Sequence, residues 1–338
     1  MNVVYSSSDS YAEIAGISML SLFETNREAG WIRVFILDNG ISEQNRARLN
    51  ETARAFAREI VFLPPPDLEQ TLGLRVETYK WNIGTFYRLF LCSVLPQSVE
   101  RLIYLDCDTI VRGSLAPLWT LDLKGCSMAA VDDTRADAYK LELGLNTSDT
   151  YTNNGVMLVD LAKWRAEGIE RLFIEKLVER KGKLPFVDQG VLNAVLSRRK
   201  KVLVLPPRCN AMTFLFYFSY PELLRFRRPS SPYLTREEFE EARVNPLIVH
   251  FFPCFMAGTR PWNEKDTHPF TPEYRACKAR SPWKDAPYRA DERSAPRKLF
   301  TVVCNVLPRP IMLFFVSLLH AQLLPFFRKA AAWIKKKT

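Results

Sequence analysis

An α/β fold built on a mostly parallel, doubly wound sheet is predicted by three observations. Strand-like and helix-like patterns alternate through residues 1–105. One apolar strand ends abruptly in the carboxylates Asp106 and Asp108. The 338 residues are 47% hydrophobic and 12% aromatic, ample for a large packed core. Alternation of this kind places helices on both faces of a sheet whose strands run the same way.

The elements read in order. Asn2–Ser7 is a β-branched and aromatic run that predicts a first strand, and a helical pattern follows from Tyr11 to Asn26. Trp31–Leu37 is a buried-type strand closed by Asp38-Asn39-Gly40. Ser42 followed by Glu43 marks a helix start, with the helix running to about Arg58. Ile60–Leu63 gives a third strand, stopped by Pro64-Pro65-Pro66; a helical segment near Thr85–Ser93 then leads to the strand Leu102–Leu105. Further strands are expected at Ser127–Val131 and Val156–Val159, with helices near Ile169–Arg180 and Asp188–Leu196. Between Pro206 and Thr235 the chain is aromatic- and proline-rich, too apolar for a linker, and is expected to pack over the sheet or frame a cleft. Ser281–Ala295 reads as a polar hinge, dividing a body of residues 1–280 from a tail of residues 281–338.

Asp106 and Asp108 stand two residues apart at the end of an extended run, so both side chains point the same way. They converge at the carboxyl edge of the sheet, where ligands bind in open α/β folds. Two hard oxygen ligands suit Mg²⁺ or Mn²⁺ bound together with a diphosphate. An acidic strand-to-loop turn has the same local pattern, because Asp favours turns.

The net charge of +10 is unevenly spread. From Tyr288 to Thr338 there are ten basic and two acidic residues, so the rest of the chain is close to neutral. A body without a basic stripe argues against nucleic acid. A basic tail interleaved with Phe, Leu and Trp points to an anionic membrane surface. Its apolar run Ile311–Leu319 resumes at Leu323–Phe327 and falls short of the roughly 20 residues a spanning helix needs. Amphipathic helices lying in the interface are expected instead. The seven cysteines contain no Cys-x-x-Cys pair, which signals neither a zinc ribbon nor a disulfide framework. Buried free thiols in a reducing compartment follow. Because Met1–Tyr5 already reads as strand, a cytoplasmic orientation without a signal peptide is expected.

Six further stretches occur together. They are Val3–Ala12 with its Ser6-Ser7-Ser8 turn, Phe35–Glu43, Phe86-Tyr-Arg-Leu89, Leu105-Asp-Cys-Asp108, Asn153-Asn-Gly-Val156 and Val187-Asp-Gln189; His250 and Arg260-Pro-Trp262 close the series. In this order they resemble family 8 glycosyltransferases, the retaining enzymes that build lipopolysaccharide and capsular glycans, with glycogenin as a eukaryotic relative. The resemblance covers roughly residues 1–265 and implies the GT-A fold, a Rossmann-like sheet that holds a nucleotide-sugar at its carboxyl edge.

Roles carry over residue by residue. Asp106, Asp108 and His250 would ligate Mn²⁺ or Mg²⁺, and the metal would neutralise a departing diphosphate. Ser6, Ser8 and Tyr11 would frame uracil and ribose. Arg88 would hold a neighbouring carboxylate or the phosphate, and Arg260 would clamp the diphosphate. Asn153 and Asp188 would hydrogen-bond donor-sugar hydroxyls. Gln189 would steady positive charge at the anomeric carbon with its carbonyl oxygen. The implied partners are a UDP-hexose donor, a glycolipid or polysaccharide acceptor, and the cytoplasmic face of the inner membrane.

This chain departs from the family pattern in three places. Ser8 stands where many members carry Asp. Asp188-Gln189-Gly190 replaces Asp-Gln-Asp. The stretch from His250 to Trp262 runs four residues longer than usual, with Arg260 in place of Lys. Ser8 and Gly190 leave room for a non-catalytic scaffold at the membrane. A sugar nucleotidyltransferase would also use carboxylate-bound metal, but it needs a Gly-rich basic phosphate loop that Ser6–Ala12 lacks.

Overall fold

The computed structural model describes residues 1–79, 81–133, 136–230, 234–324 and 326. Its strands are β1 (Asn2–Ser8), β2 (Arg33–Asn39), β3 (Glu59–Leu63), β4 (Arg101–Leu105), β5 (Thr109–Val111), β6 (Met128–Asp132), β7 (Thr152–Asp160), β8 (Val202–Leu205), β9 (Ala211–Met212) and β10 (Ile248–His250). Seven of these strands form one sheet in the order β3-β2-β1-β4-β7-β6-β8. All neighbours run parallel except β7, which is antiparallel to both β4 and β6. The expected mostly parallel sheet is therefore present.

Side chains alternate across it. Val3, Tyr5, Ile103, Leu105, Val156 and Leu158 enter one apolar core, while Val4, Leu102, Tyr104, Met157 and Val159 enter another on the opposite face. Burial on both faces explains why these strands read as continuous apolar runs. From β1 the helix Ala12–Thr25 leads to β2, and the helix Glu43–Arg54, capped by Ser42, leads to β3. The chain then returns to β4 on the far side of β1. That reversal opens a crevice between the carboxyl ends of β1 and β4.

A second sheet, ordered β5-β10-β9, stands over this crevice. Its strands are only two or three residues long, too short to leave a periodic pattern, and the sequence does not announce them. Antiparallel pairing sets His250 opposite Thr109, immediately after Asp108. The aromatic-rich stretch from Pro206 packs as expected, with Phe214, Phe218 and Phe226 buried in the same core as Ile110 and Val249.

Three expectations change. The segment near Thr85–Ser93 is a 3-10 helix over Ile83–Phe90 followed by a short α-helix, Leu91–Val94. Asn153 lies inside β7 rather than beside a strand. The proposed hinge Ser281–Ala295 is fastened to the body. Within it Trp283 is buried against Gly16 and donates from Nε1 to Asn45 Oδ1 at 3.2 Å, and Arg289 donates to the Ser10 carbonyl at 2.6 Å.

The tail forms helices Ala295–Val306 and Arg309–Leu318. Their inner face is docked: Cys304, Met312, Leu313 and Val316 are buried, and Arg309 pairs with Glu222 at 2.9 Å. Their outer face is apolar and open, with Val306 77% and Phe315 58% exposed. No helix among the described residues is long and apolar enough to cross a membrane. The basic residues from Arg328 onward, and part of the run Leu323–Phe327, lie outside the described residues.

Candidate active site

The last residue of β4 is Leu105, and the turn that follows carries both aspartates. The Asp106 amide donates to the Gly155 carbonyl at 2.7 Å, and the Phe251 amide donates to the Asp108 carbonyl at 2.9 Å. The turn is thus pinned to β7 on one side and to the chain after β10 on the other. His250 Nε2 lies 3.3 Å from Asp108 Oδ1 and 3.8 Å from Asp106 Oδ2. One donor atom from each of the three lies within 4.8 Å of the others.

Gly155 makes the approach possible. A Cβ there would sit 2.3 Å from His250 Cε1 and 2.9 Å from Asp106 Oδ2. Two carboxylate oxygens and an imidazole nitrogen, converging where the backbone leaves room, form a donor set that fits a divalent cation.

Two arginines flank the cluster. Arg88, buried, donates from Nη2 to Asp106 Oδ1 at 2.8 Å and from Nη1 to the Asn154 carbonyl at 2.8 Å, and its Nε lies 3.1 Å from Asp188 Oδ2. Its guanidinium also stacks over Tyr104, 4.4 Å from the ring centroid. Arg260 Nη1 donates to Asp108 Oδ2 at 3.0 Å and its guanidinium lies over Trp262. Despite the longer stretch between them, His250 and Arg260 both reach Asp108.

Burial and pairing set the charges. Burial works against the Arg88 charge, but Asp106, Tyr104 and Asp188 outweigh it and hold the guanidinium protonated. Burial raises Asp108, yet His250 and Arg260 more than offset this and keep it below the usual carboxylate range. His250 moves up, since Asp108 and Asp106 overcome the burial that would lower it. Asp188 goes the other way: burial pushes it up to about 6 against the pull of Arg88.

Two adjoining cavities open on this cluster. The larger, about 360 Å³, lies at the ends of β1 and β4 and is lined by Ser6, Ser8, Tyr11, Arg88, Asp106, Asp108 and Arg260. The smaller, about 110 Å³, is lined by Arg88, Asp106, Asn153, Asp188, Gln189 and Phe252. The structure therefore gathers the candidate residues around one crevice, with His250 buried behind Asp106 and Asp108.

The departures acquire physical reasons here. A Cβ at Gly190 would lie 1.9 Å from the Pro185 carbonyl oxygen, so the turn into the helix Val187–Leu196 excludes any side chain there. The two residues before Asp188, Phe186 and Val187, both hold positive φ (63° and 48°), a strained entry that aims Asp188 and Gln189 at the smaller cavity. Ser8 lines the larger cavity and shares a hydrogen bond with Ser10 Oγ at 3.1 Å.

Four further residues belong to the site: Asp133 and Asn210, buried against the candidates; Asn154, whose buried side-chain amide has no hydrogen-bond partner among the described residues; and Trp81, which lines both cavities. Asn210 approaches His250 across 40 residues, and no local pattern marks such a contact.

A family model described as glycosyl transferase family 8 matches residues 2–266. General stress protein A of Bacillus subtilis is 31% identical over 278 residues, spanning 81% of this chain and 91% of its own length. A lipopolysaccharide 1,2-glucosyltransferase of Escherichia coli strain K12 is 25% identical over 298 residues, spanning 84% of this chain and 79% of its own. Among solved structures, the galactosyltransferase LgtC, determined with donor and acceptor sugar analogs, superposes with a TM-score of 0.69 at 25% identity. That superposition covers 83% of this chain and 96% of LgtC. The mostly parallel sheet and its carboxyl-edge crevice are thus of the GT-A type.

Proposed function

The chain belongs to glycosyltransferase family 8, and from that premise we propose that it moves a hexose, glucose or galactose, from a UDP-sugar to a lipopolysaccharide or other cell-surface glycan with retention at the anomeric carbon. The observation that carries this reading is the cluster of Asp106, Asp108 and His250 at the junction of a nucleotide-sized and a sugar-sized cavity. Asp106, Asp108 and His250 would hold Mn²⁺, for which an imidazole beside carboxylates is suited. When bound, the metal supplies Lewis-acid neutralisation of diphosphate charge.

The chain's own residues do the rest. Tyr11, with its ring edge toward Trp262, walls the base end of the larger cavity, and Ser6, fixed to the Gly84 carbonyl at 2.8 Å, forms its floor. Arg260 stands at Asp108, where a guanidinium can follow the diphosphate oxygens bidentately. Arg88 positions Asp106 and Asp188 together, so one buried cation orients the metal-facing and the sugar-facing carboxylates. Asp188 accepts from a donor-sugar hydroxyl. Gln189 Oε1 is the neutral acceptor nearest the sugar, able to stabilise developing positive charge without forming a bond to it. The acceptor hydroxyl attacks from the side the diphosphate leaves, so the new glycosidic bond forms as the C1–O bond to the diphosphate breaks, and a departing phosphate oxygen takes the hydroxyl proton.

Residues 1–280 form the transferase body in this reading, and residues 281–338 form a tail that rests the enzyme on the cytoplasmic face of an anionic membrane. The open apolar face of the tail helices and the basic composition of residues 288–338 support this. Each basic side chain near such a surface adds about 1 kcal/mol, and inserted Phe and Leu side chains add more.

The test is turnover of UDP-glucose, UDP-galactose and their N-acetyl forms, followed as UDP released. One hexose donor is expected to be hydrolysed only with a divalent cation, and Asp108→Ala to lower the rate at least a hundredfold. Metal-independent release, or an unchanged rate in Asp108→Ala, contradicts the reading.

A further inference from the structure

Five polar side chains beneath the crevice, four of them buried and Gln189 half-buried, are joined end to end. Gln189 Nε2 donates to Asp133 Oδ2 at 2.8 Å, and Asn153 Nδ2 donates to Gln189 Oε1 at 3.3 Å. Asn210 Nδ2 donates to Asn153 Oδ1 at 2.9 Å, and Asn210 Oδ1 lies 2.9 Å from His250 Nδ1. Asp133 and Asn210 are wholly buried, and Asn153 and His250 nearly so.

The direction of this chain is not free. An amide's oxygen and nitrogen are interchangeable by shape alone, and so are the two tautomers of an imidazole. The anchors are not. A carboxylate such as Asp133 accepts, and a backbone N–H only donates. The Gly155 N–H donates to Asn153 Oδ1 at 2.9 Å, which turns Asn153 Nδ2 toward Gln189. Asp133 independently turns Gln189 Nε2 toward itself and Oε1 toward Asn153. The two anchors agree.

Asn210 must then offer its NH₂ to Asn153 Oδ1, which leaves Oδ1 to face the imidazole. Only an Nδ1–H on His250 satisfies that oxygen. The other ring nitrogen, Nε2, is the one directed at Asp106 and Asp108.

We infer that Asp133, Gln189, Asn153 and Asn210 form a hydrogen-bonded relay that fixes the Nδ1–H tautomer of His250 and so keeps its Nε2 lone pair on the cation site. Asp133 and Asn210 are positioning residues acting through others. Gln189 and Asn153 belong both to this relay and to the wall of the sugar cavity. Partners that orient a ligating imidazole are worth tenfold to a hundredfold in metal affinity.

The inference rests on His250 being a metal ligand, and the experiment separates the two claims. In the full-length protein, ring-nitrogen NMR of His250, recorded where the ring is neutral, is expected to give the Nδ1–H form. Mn²⁺ titration followed by electron paramagnetic resonance gives the affinity. Asn210→Leu and Asp133→Asn are expected to weaken Mn²⁺ binding about tenfold to a hundredfold and to mix the tautomers. Asn210→Asp still offers an acceptor to Nδ1–H and is expected to restore the tautomer, which a purely structural defect would not allow. An Nε2–H form in the wild-type protein overturns the relay without any variant. So does wild-type Mn²⁺ affinity in Asn210→Leu and Asp133→Asn. Failure of the wild-type protein to bind Mn²⁺ at all would instead remove the metal reading beneath it.

Discussion

Gly155 and Asp188 govern the crevice by opposite means, one by having no side chain and the other by the charge it keeps. Because a methyl at position 155 would overlap both His250 and Asp106, Gly155→Ala must push one of them away. We expect Gly155→Ala to raise the Mn²⁺ dissociation constant about tenfold or more in isothermal titration, and to lower the melting temperature as well, because the overlap costs about 1–3 kcal/mol. Asp188 is pushed up to about 6 from an ordinary 3.8, chiefly by burial. A raised carboxylate holds its proton more tightly when folded, so stability from this group declines as pH rises between those two values. In the proposed function catalysis would run the other way, since the ionised form is the one that would accept from a sugar hydroxyl. Donor hydrolysis should fall on acidification with a midpoint near 6. Asp188→Asn should be slow throughout and lack that acid limb in its pH profile.

The tail helices have two faces, one docked on the body and one open. Leu313 on the docked face is buried, and replacing it with Ala is expected to cost about 2–5 kcal/mol in chemical denaturation. Cutting the chain near Arg289 would strip Cys304, Met312, Leu313 and Val316 from the core, so truncation is a poor test of membrane binding. Changing Val302 and Phe315 to Glu alters only exposed positions, removing two apolar contacts and adding charge that an anionic surface repels. That pair should abolish co-sedimentation with anionic vesicles while stability and donor hydrolysis stay at wild-type values. The apolar character of the run Ile311–Leu319 was legible, but which face docks was not, because Arg309 finds Glu222 across 87 residues. The same limit applied to β9 and β10, which exist through pairing with each other and with β5 rather than through local preference. In contrast, β1, β2 and β4 are buried on both faces, and continuous apolar runs announced them. Asp106 and Asp108 were readable because two-residue spacing settles their common direction. His250 and Arg260 came only from family likeness, and Asp133 and Asn210 from neither.

Across the whole molecule, a sheet that reverses direction beside β1 makes the crevice, and a three-stranded sheet brings the histidine over it. Two arginines and one ionisable imidazole meet three carboxylates there, leaving a near-neutral cluster to which a divalent ion and a diphosphate add opposite charges. The body is otherwise close to neutral, so the basic tail alone would draw the enzyme to an anionic surface. Vesicle binding should accordingly weaken steeply with added salt, whereas donor hydrolysis in solution should change little. The central claim concerns the three side chains at the junction of the two cavities. Crystals soaked with Mn²⁺ and UDP, with diffraction recorded at the manganese absorption edge, test it most directly. A single anomalous peak in contact with Asp106, Asp108 and His250 Nε2 is the result expected. A peak elsewhere, or none beside a well-ordered diphosphate, would contradict it.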